Sequence, residues 1–270
     1  MKFFKKKPKV TIIITCYNSE KYLKFSINSI LRQKFKYWEL IVVNDCSTDA
    51  SLKILNTYKS KKIKIINLKK NVGPYKATEL ALRKSKGKYI AFLDSDDISH
   101  KDRIFSQFLE LEKNKNINLV VTQYKIIDQN NKIIGYSKTL SQSEFDRKLP
   151  CENLCCNSSA MFRKKVLKKI KFFNKKYFYS CDYNFYLKIF SLSSIKIINK
   201  YYIYYRIHPN SRTNTLKKID IIKEELNHLN FSKKKNLINK TNFFLYYKNL
   251  FRCYLKLFLL KFTKVKKIKT

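Results

Sequence analysis

No run of roughly eighteen apolar residues occurs in this 270-residue sequence, so no segment is expected to span a bilayer as a helix. The first ten residues, MKFFKKKPKV, start basic but carry no apolar stretch long enough for a secretory signal. The expectation is a protein that stays on the cytoplasmic side. Metal-site spacing is missing among the cysteines. There are 7 of them, an odd number, and Cys151, Cys155 and Cys156 cluster without a partnering histidine or a second CxxC. Reduced thiols fit this pattern better than a disulfide framework.

Glycine (3), proline (4) and acidic residues are all scarce, and 19 Asp+Glu against 59 Lys+Arg leave a formal net charge of +40. A field of that sign draws polyanions, whether nucleic acid, anionic lipid headgroups or phosphorylated substrates. A chain rich in Lys, Ile, Asn, Phe and Tyr is equally the product of an AT-rich coding sequence, so composition does not decide between the two. Core-forming material is abundant. A hydrophobic content of 44% with 15% aromatics excludes wholesale disorder and suffices for one good core, with or without a small appendage.

Residues 10–15 (VTIIIT), 38–43 (WELIVV), 63–68 and 89–93 (YIAFL) are short apolar runs bounded by polar residues, which predicts buried strands. Between them lie helical patterns. Tyr22, Leu23, Ile27, Ile30 and Leu31 share one face behind Asn18 or Ser19 as cap; Leu52, Leu55 and Tyr58 mark a second helix, and residues 77–84 a third. Residues 119–122 read as a fifth strand. Such alternation predicts an α/β fold with right-handed crossovers and a mostly parallel central sheet flanked by helices. Ligands of such sheets bind outside the carboxyl ends of the strands. Polar clusters fall at those ends, at residues 15–18, 44–49, 71–73 and 94–97, and four on one rim point to a site. Beyond residue 123 come β pieces at 124–128 and 132–136, a loop over 137–157, a strand at 158–162, a helix at 181–192 and a strand at 195–206 ending in Arg-Ile-His. There is no internal repeat.

Asp94-Ser95-Asp96-Asp97 follows an apolar strand directly. Carboxylates two residues apart on an extended turn can address one hard cation, and a divalent metal there could bridge the phosphates of a nucleotide diphosphate. Out of context, a solvated turn with a helix cap explains the same residues.

Context changes the balance. The stretches VTIIITCYNSEKYLKFSINSILRQ, WELIVVNDCSTDAS and NVGPYKATELALRKSKGKYIAFLDSDD, then SSAMFRKKVL, CDYNFYLKI and YRIHPNS, resemble in this order glycosyltransferase family 2, over roughly residues 9–212. The resemblance implies a GT-A fold, Rossmann-like in its nucleotide-binding half, and an inverting transfer from a nucleotide-diphosphate sugar, with uridine as the expected nucleotide and Mn²⁺ or Mg²⁺ as cofactor. It implies that Thr15 and Tyr17 line the base and ribose pocket, with Asn18 and Ser95 beside them, and that Asp45 accepts a hydrogen bond from the base. Asp94 would sit near ribose and metal, Asp96 would ligate the metal with His208, and Arg206 would meet the diphosphate. Asp182 would be the base that takes the acceptor's proton.

Plainer readings stand beside these: Tyr17 as a rim aromatic, Asp45 and Asp49 as turn or cap residues, Asp182 as a favourable charge at a helix start, His208 as a surface histidine. His100 and His228 receive no role. The sequence also departs from the family pattern. Cys46 stands where glycine is usual and Cys181 where an acid precedes the base; Thr78 and Glu79 replace a basic residue and an asparagine, with Lys76 as the substitute charge.

The expected division is a catalytic domain over residues 1–215 and a basic amphipathic helical tail over 216–270. In the tail, Lys248, Arg252 and Lys256 are spaced by four against a broad aromatic and leucine face, with Lys261, Lys264, Lys266, Lys267 and Lys269 following. That pattern suits a helix lying in an anionic membrane surface and, alternatively, one packed on the catalytic domain. The expected acceptor is a hydroxyl of a glycan or lipid-linked saccharide, as in cell-surface polysaccharide synthesis. An inactive partner subunit and, less well supported, a nucleic-acid-binding protein are the rival readings; the second lacks a binding motif and has acidic loops where phosphates need cations. Oligomeric state is not legible.

Overall fold

The structure is a computed structural model that describes residues 7–172, 174, 176–177, 179–211 and 217–266, with side chains through residue 260. Its centre is a mixed sheet in the order β3-β2-β1-β4-β8-β6-β9-β5, with β7 paired to β6. The first half is parallel. β1 (Val10–Cys16) lies between β2 (Trp38–Asn44) and β4 (Tyr89–Phe92), and β2 pairs on its other side with β3 (Ile63–Asn67). The second half turns antiparallel at β8 (Met161–Arg163), which joins β4 to β6 (Leu119–Ile127); β6 then runs parallel to the long β9 (Ile195–Arg206). β5 (Ile98–Ser99) and β7 (Ile133–Tyr136) close the edges. Residues 119–122 and 124–128, which read as separate pieces, form one strand with irregular register around Gln123.

Period-two alternation sends successive side chains to opposite faces of the sheet. Ile13, Ile41 and Val43 go to one face, where α3 (Pro74–Lys84), α5 (Gln142–Lys148) and α6 (Cys181–Phe190) cover them. Val10, Ile12, Ile14, Leu40 and Val42 go to the other, beneath α1 (Leu23–Leu31), α2 (Ser51–Asn56) and α4 (Arg103–Lys113). Both faces are covered, as near-continuous apolar strands require. Gly87 lets the chain pass tightly over β1: a Cβ there would stand 2.4 Å from the Thr11 amide nitrogen.

Two local expectations are corrected. Neither Asn18 nor Ser19 caps α1 with its side chain; Ser19 offers its backbone carbonyl to Tyr22 and Leu23, while the Asn18 amide oxygen accepts from the Thr48 backbone N–H at 2.8 Å. Residues 137–157 are not a plain loop. They contain α5, begun by a capping box in which Ser141 and Glu144 satisfy each other's backbone N–H.

The C-terminal part forms α7 (Lys218–Lys234) and α8 (Phe243–Lys266). The boundary expected at 215/216 lies outside the described residues, as do residues 267–270 and the side chains of the lysines from Lys261 onward. α7 and α8 share a small core with the body: Ile222, Leu229, Tyr246 and Cys253 close on Cys151. On α8 the buried positions Tyr246, Asn249 and Cys253 make a narrow seam, and Phe243, Phe244, Phe251, Tyr254, Phe258 and Leu259 remain exposed. No described helix is long and apolar enough to cross a membrane.

Candidate active site

The carboxyl ends of β1, β2 and β4 open into one cleft of about 1300 Å³, bounded on its far side by α6, α7 and α8. The acidic turn after β4 forms its floor. Ser158 ties that turn together, accepting from the Asp94 backbone N–H at 2.9 Å and donating to the Asp97 carboxylate at 2.5 Å. Asn157 donates its side-chain amide to Asp94 at 2.7 Å. Asp97 is fully buried and accepts the Arg206 backbone N–H at 2.8 Å, and burial with the neighbouring Asp96 and Asp94 charges pushes its carboxyl well above the usual range. Asp94 is pushed up to about 7, first by burial and then by the carboxylates of Asp96 and Asp182. Like charges therefore converge on this point, the arrangement a bound cation would relieve. The buried Arg103 supplies part of the compensation from below, with its guanidinium donating to the carbonyls of Phe92 and Ala160.

At the mouth, His208 Nε2 stands 3.1 Å from Asp96 Oδ2. The His208 ring packs on Tyr22 at 4.7 Å, which fixes its direction. The carboxylate oxygen suits Mn²⁺ or Mg²⁺, and the imidazole nitrogen beside it favours Mn²⁺ of the two. Among the described residues no group of three His, Cys, Asp or Glu side chains is placed to hold an ion. The protein thus offers a pair of donors, which fits a cation that completes its shell with water and substrate phosphates.

Several expected nucleotide contacts line this cleft: Thr15, Tyr17, Asn18, Asp94 and Ser95. Tyr17 is 50% exposed and Asn18 adopts a left-handed φ of 48°, so both stand out on the β1–α1 loop. Ser95 meets Ser19 through their hydroxyls at 2.8 Å, linking that loop to the acidic turn.

Three residues are placed otherwise than expected. Arg206 does not reach toward a diphosphate. It is 1% exposed and its guanidinium donates to the carbonyls of Asp96 and Asp128 and to the Asn131 side chain, which makes it a brace for the loops around the acidic turn. Asp45 is buried, and its two oxygens accept the backbone N–H groups of Val72 and Gly73 at 2.8 and 2.9 Å, so it holds the turn into α3. Lys76 is exposed outside the cleft, and Thr78, on the same helix, lines it instead. A helix turns about 100° per residue, so positions two apart point to different sides. Cys46 keeps the left-handed backbone expected of the usual glycine, with φ of 62°. Cys181 is buried and hydrogen-bonds the Phe172 carbonyl.

Asp182 lies in the first turn of α6 and lines the cleft, half-buried, between the acidic turn and the tail helices. Sequence reasoning missed the residues that support this site: Asn157 and Ser158 beneath Asp94, Tyr22 behind His208, and Glu224 and His228 of α7 along the far wall. Asn157 adjoins the recognised stretch SSAMFRKKVL and Ser158 opens it, so both carried a signal. Glu224 and His228 lie in a segment without one.

The comparisons agree with this geometry. The family model "Glycosyl transferase family 2" matches residues 11–171. A curated glycosyltransferase of Methanocaldococcus jannaschii, itself uncharacterised, is 34% identical over 220 residues, covering 79% of this chain and 75% of that protein. Among solved structures, residues 1–349 of TarS from S. aureus in complex with UDP superpose with a TM-score of 0.64 at 24% identity, over 82% of this chain and 65% of that one. The mannosyltransferase PcManGT from Pyrobaculum calidifontis, in complex with GDP-Man and Mn²⁺, gives 0.63 at 16% identity over 85% of this chain and 65% of that one. This chain therefore spans slightly less than two thirds of either solved protein, and these two likenesses speak for the GT-A fold. With the acidic turn, the strand-end loops and the later motifs in their expected places, the chain belongs to glycosyltransferase family 2.

Proposed function

We propose that this protein transfers a sugar from a nucleotide-diphosphate donor, uridine-linked in first expectation, to a hydroxyl of a glycan or lipid-linked acceptor, with inversion. The observation that carries the reading is the convergence of Asp94, Asp96, His208 and Asp182 on one cleft. TarS with UDP and the mannosyltransferase with GDP-Man and Mn²⁺ support the donor class and the metal. Thr15, Tyr17, Asn18 and Ser95 would hold the nucleoside and ribose end. Asp96 and His208 would hold Mn²⁺ or Mg²⁺ with the diphosphate. Bound there, a divalent cation supplies charge neutralisation for the departing nucleotide diphosphate. Asp182 would take the proton of the acceptor hydroxyl as its oxygen bonds to the anomeric carbon and the bond from that carbon to the diphosphate oxygen breaks. Attack opposite the leaving group inverts the anomeric centre.

Cys46 keeps a left-handed backbone and Cys181 is fully buried, and the acidic cleft speaks against nucleic acid as substrate. A peripheral membrane position on the cytoplasmic side suits the exposed face of α8, where Phe244 (80% exposed), Phe251, Phe258 and Leu259 are interleaved with Lys248 and Lys256. Arg252 shares that surface and stands 3.7 Å from Glu225. Aromatic and basic residues on one helix face match anionic headgroups by charge and apolar contact. Failure of full-length protein to sediment with anionic vesicles at low salt would remove this placement.

The test of the transfer reading is a thermal-shift panel of UDP-, GDP- and dTDP-hexoses with and without Mn²⁺, on wild type and Asp96→Ala. A ligand at about a hundred times its dissociation constant adds roughly 2.7 kcal/mol to stability. A metal-dependent shift that disappears in Asp96→Ala is expected; no shift with any nucleotide sugar overturns an active transferase.

A further inference from the structure

The first turn of α6 is held from outside the nucleotide-binding half. Tyr179 and Ser180, immediately before the helix, donate their backbone N–H groups to the Glu224 carboxylate of α7, both at 2.9 Å. The Ser180 hydroxyl donates to Glu224 Oε2 at 2.6 Å. That hydroxyl makes no side-chain cap on α6, although Ser180 occupies the capping position. On its other side it meets His228 Nε2 at 2.7 Å. A hydroxyl has one proton and an ionised carboxylate can only accept, so the proton between Ser180 and His228 belongs to Nε2. The chain runs His228 N–H to Ser180 O–H to Glu224, with serine in the middle. This order differs from a nucleophile–histidine–acid relay, in which histidine takes the central place, and it makes the set a clamp.

The clamp has a second jaw. Tyr75 of α3, in the nucleotide-binding half, donates its hydroxyl to the Tyr179 carbonyl at 2.8 Å. Tyr179 is therefore held at its N–H by the tail and at its carbonyl by the catalytic body, three residues before Asp182. The part of the chain after residue 215 contains three acidic residues, Asp220, Glu224 and Glu225, and none is exposed. Tail negative charge faces the α6 segment and the cleft, while the outer surface is left basic.

We propose that Glu224 is a positioning residue for sugar transfer: by fixing the Tyr179–Ser180 backbone it sets where the Asp182 carboxylate stands in the cleft. The inference rests on Asp182 acting as the base. The tail is then part of the reaction machinery, and α7 supplies what the family-model match to residues 11–171 does not contain. Misplacement of a reacting group by about 1 Å costs up to ~10²-fold in rate without disturbing groups bound elsewhere.

The experiment measures nucleotide diphosphate release, with water as acceptor and Mn²⁺ present, from the nucleotide sugar giving the largest shift in the panel above. Variants are Glu224→Ala, Glu224→Gln, Ser180→Ala and Asp182→Asn. Glu224→Ala is expected to lower kcat about 10- to 100-fold with the donor KM and the donor-induced thermal shift unchanged. Glu224→Gln, which keeps one accepting oxygen, should recover part of that loss. Ser180→Ala removes the hydroxyl's bonds to Glu224 and to His228 while both backbone N–H donors to Glu224 remain, and should lower kcat by a smaller factor; it carries the test if Glu224→Ala does not fold. Wild-type kcat in the Glu224 and Ser180 variants beside an inactive Asp182→Asn overturns the clamp, and so does an equal loss of donor binding and turnover. Wild-type turnover in Asp182→Asn instead overturns the base assignment, and the two failures are distinct.

Discussion

The two walls of the cleft are built by different means. The strand-end wall is made of loops that begin with a local backbone device, a left-handed Asn18 after β1 and a Gly73 with φ of 83° leading into Pro74 at the start of α3, and are then tied to one another by bonds such as Ser158 to the acidic turn and Asp45 to the Gly73 N–H. The tail wall has no such local device. α7 and α8 reach the body through a small apolar seam and through hydrogen bonds spanning 41 to 98 residues of sequence, such as Tyr179 to Asp220 and Asn249 to the Cys151 carbonyl. Turns with their own backbone devices, braced against each other around one sheet edge, hold a binding geometry more directly than a wall that reaches the body only through a seam and a few distant bonds. The strand-end wall should therefore govern whether a donor binds, and the α6–tail side how fast it reacts.

The sharpest way to break this comparison is a pair of substitutions on opposite sides. Asp182→Asn should reduce kcat by about 10²- to 10⁴-fold, the range for loss of a general base, while the metal-dependent thermal shift by donor persists. Asp96→Ala should remove that shift and turnover together. Initial rates and melting curves on the two purified variants decide it. Retained donor binding in Asp96→Ala with lost binding in Asp182→Asn would reverse the assignment of the walls.

The same difference explains what the sequence revealed. The parallel half and the acidic turn were legible because apolar strands and polar strand-end clusters repeat in order, and because Asp94 and Asp96 follow the apolar run of β4 and Leu93. Arg206 and Asp45 were legible as members of the site but not as braces. A motif gives residue type and position, and only packing shows that a guanidinium turns to the carbonyls of Asp96 and Asp128. Lys76 stands on a different side of α3 from the cleft-lining Thr78, since a position two places along a helix does not address the same space. α7 gave no recognisable signal, and its Glu224 and His228 acquire meaning only from Ser180, 44 and 48 residues earlier.

A smaller effect tests the tail wall through pH. His228 is 2% exposed, stacked on Tyr177 at 4.5 Å and against Tyr183 at 4.6 Å, with Glu224 of its own helix linked to it through Ser180. Burial pushes its imidazole down to about 3. The folded protein therefore holds it neutral over a range where the unfolded chain, near 6.5, takes up a proton. Between those two values the unfolded state binds more protons, so stability falls as pH drops through 6.5 toward 3 and is unaffected above. At pH 5 the loss assigned to His228 is about 2 kcal/mol, from ~1.4 kcal/mol per pH unit. Urea unfolding at pH 7.5 and 5 should show this difference between wild type and His228→Gln. An identical pH dependence in the two proteins would mean that the tail wall opens to water around the imidazole.

The smallest expected effect lies on the strand-end wall, at Cys46. Its φ of 62° places a side chain in the left-handed region, and the neighbouring Asp45 N–H is held by the Cys16 carbonyl at 2.9 Å. That conformation costs an ordinary residue about 1–2 kcal/mol, which Cys46→Gly would relieve. Glycine also widens the unfolded ensemble, which offsets about 0.4–1 kcal/mol of the gain. The net expectation is stabilisation by up to about 1.6 kcal/mol in urea unfolding, with donor binding unchanged because the backbone already has the shape glycine would adopt. A weakened donor shift in Cys46→Gly would mean that the thiol itself shapes the nucleotide pocket. A loop whose geometry survives an unfavourable residue is one whose flanking hydrogen bonds impose it, here from β1 through the Cys16 carbonyl and to the turn into α3 through Asp45.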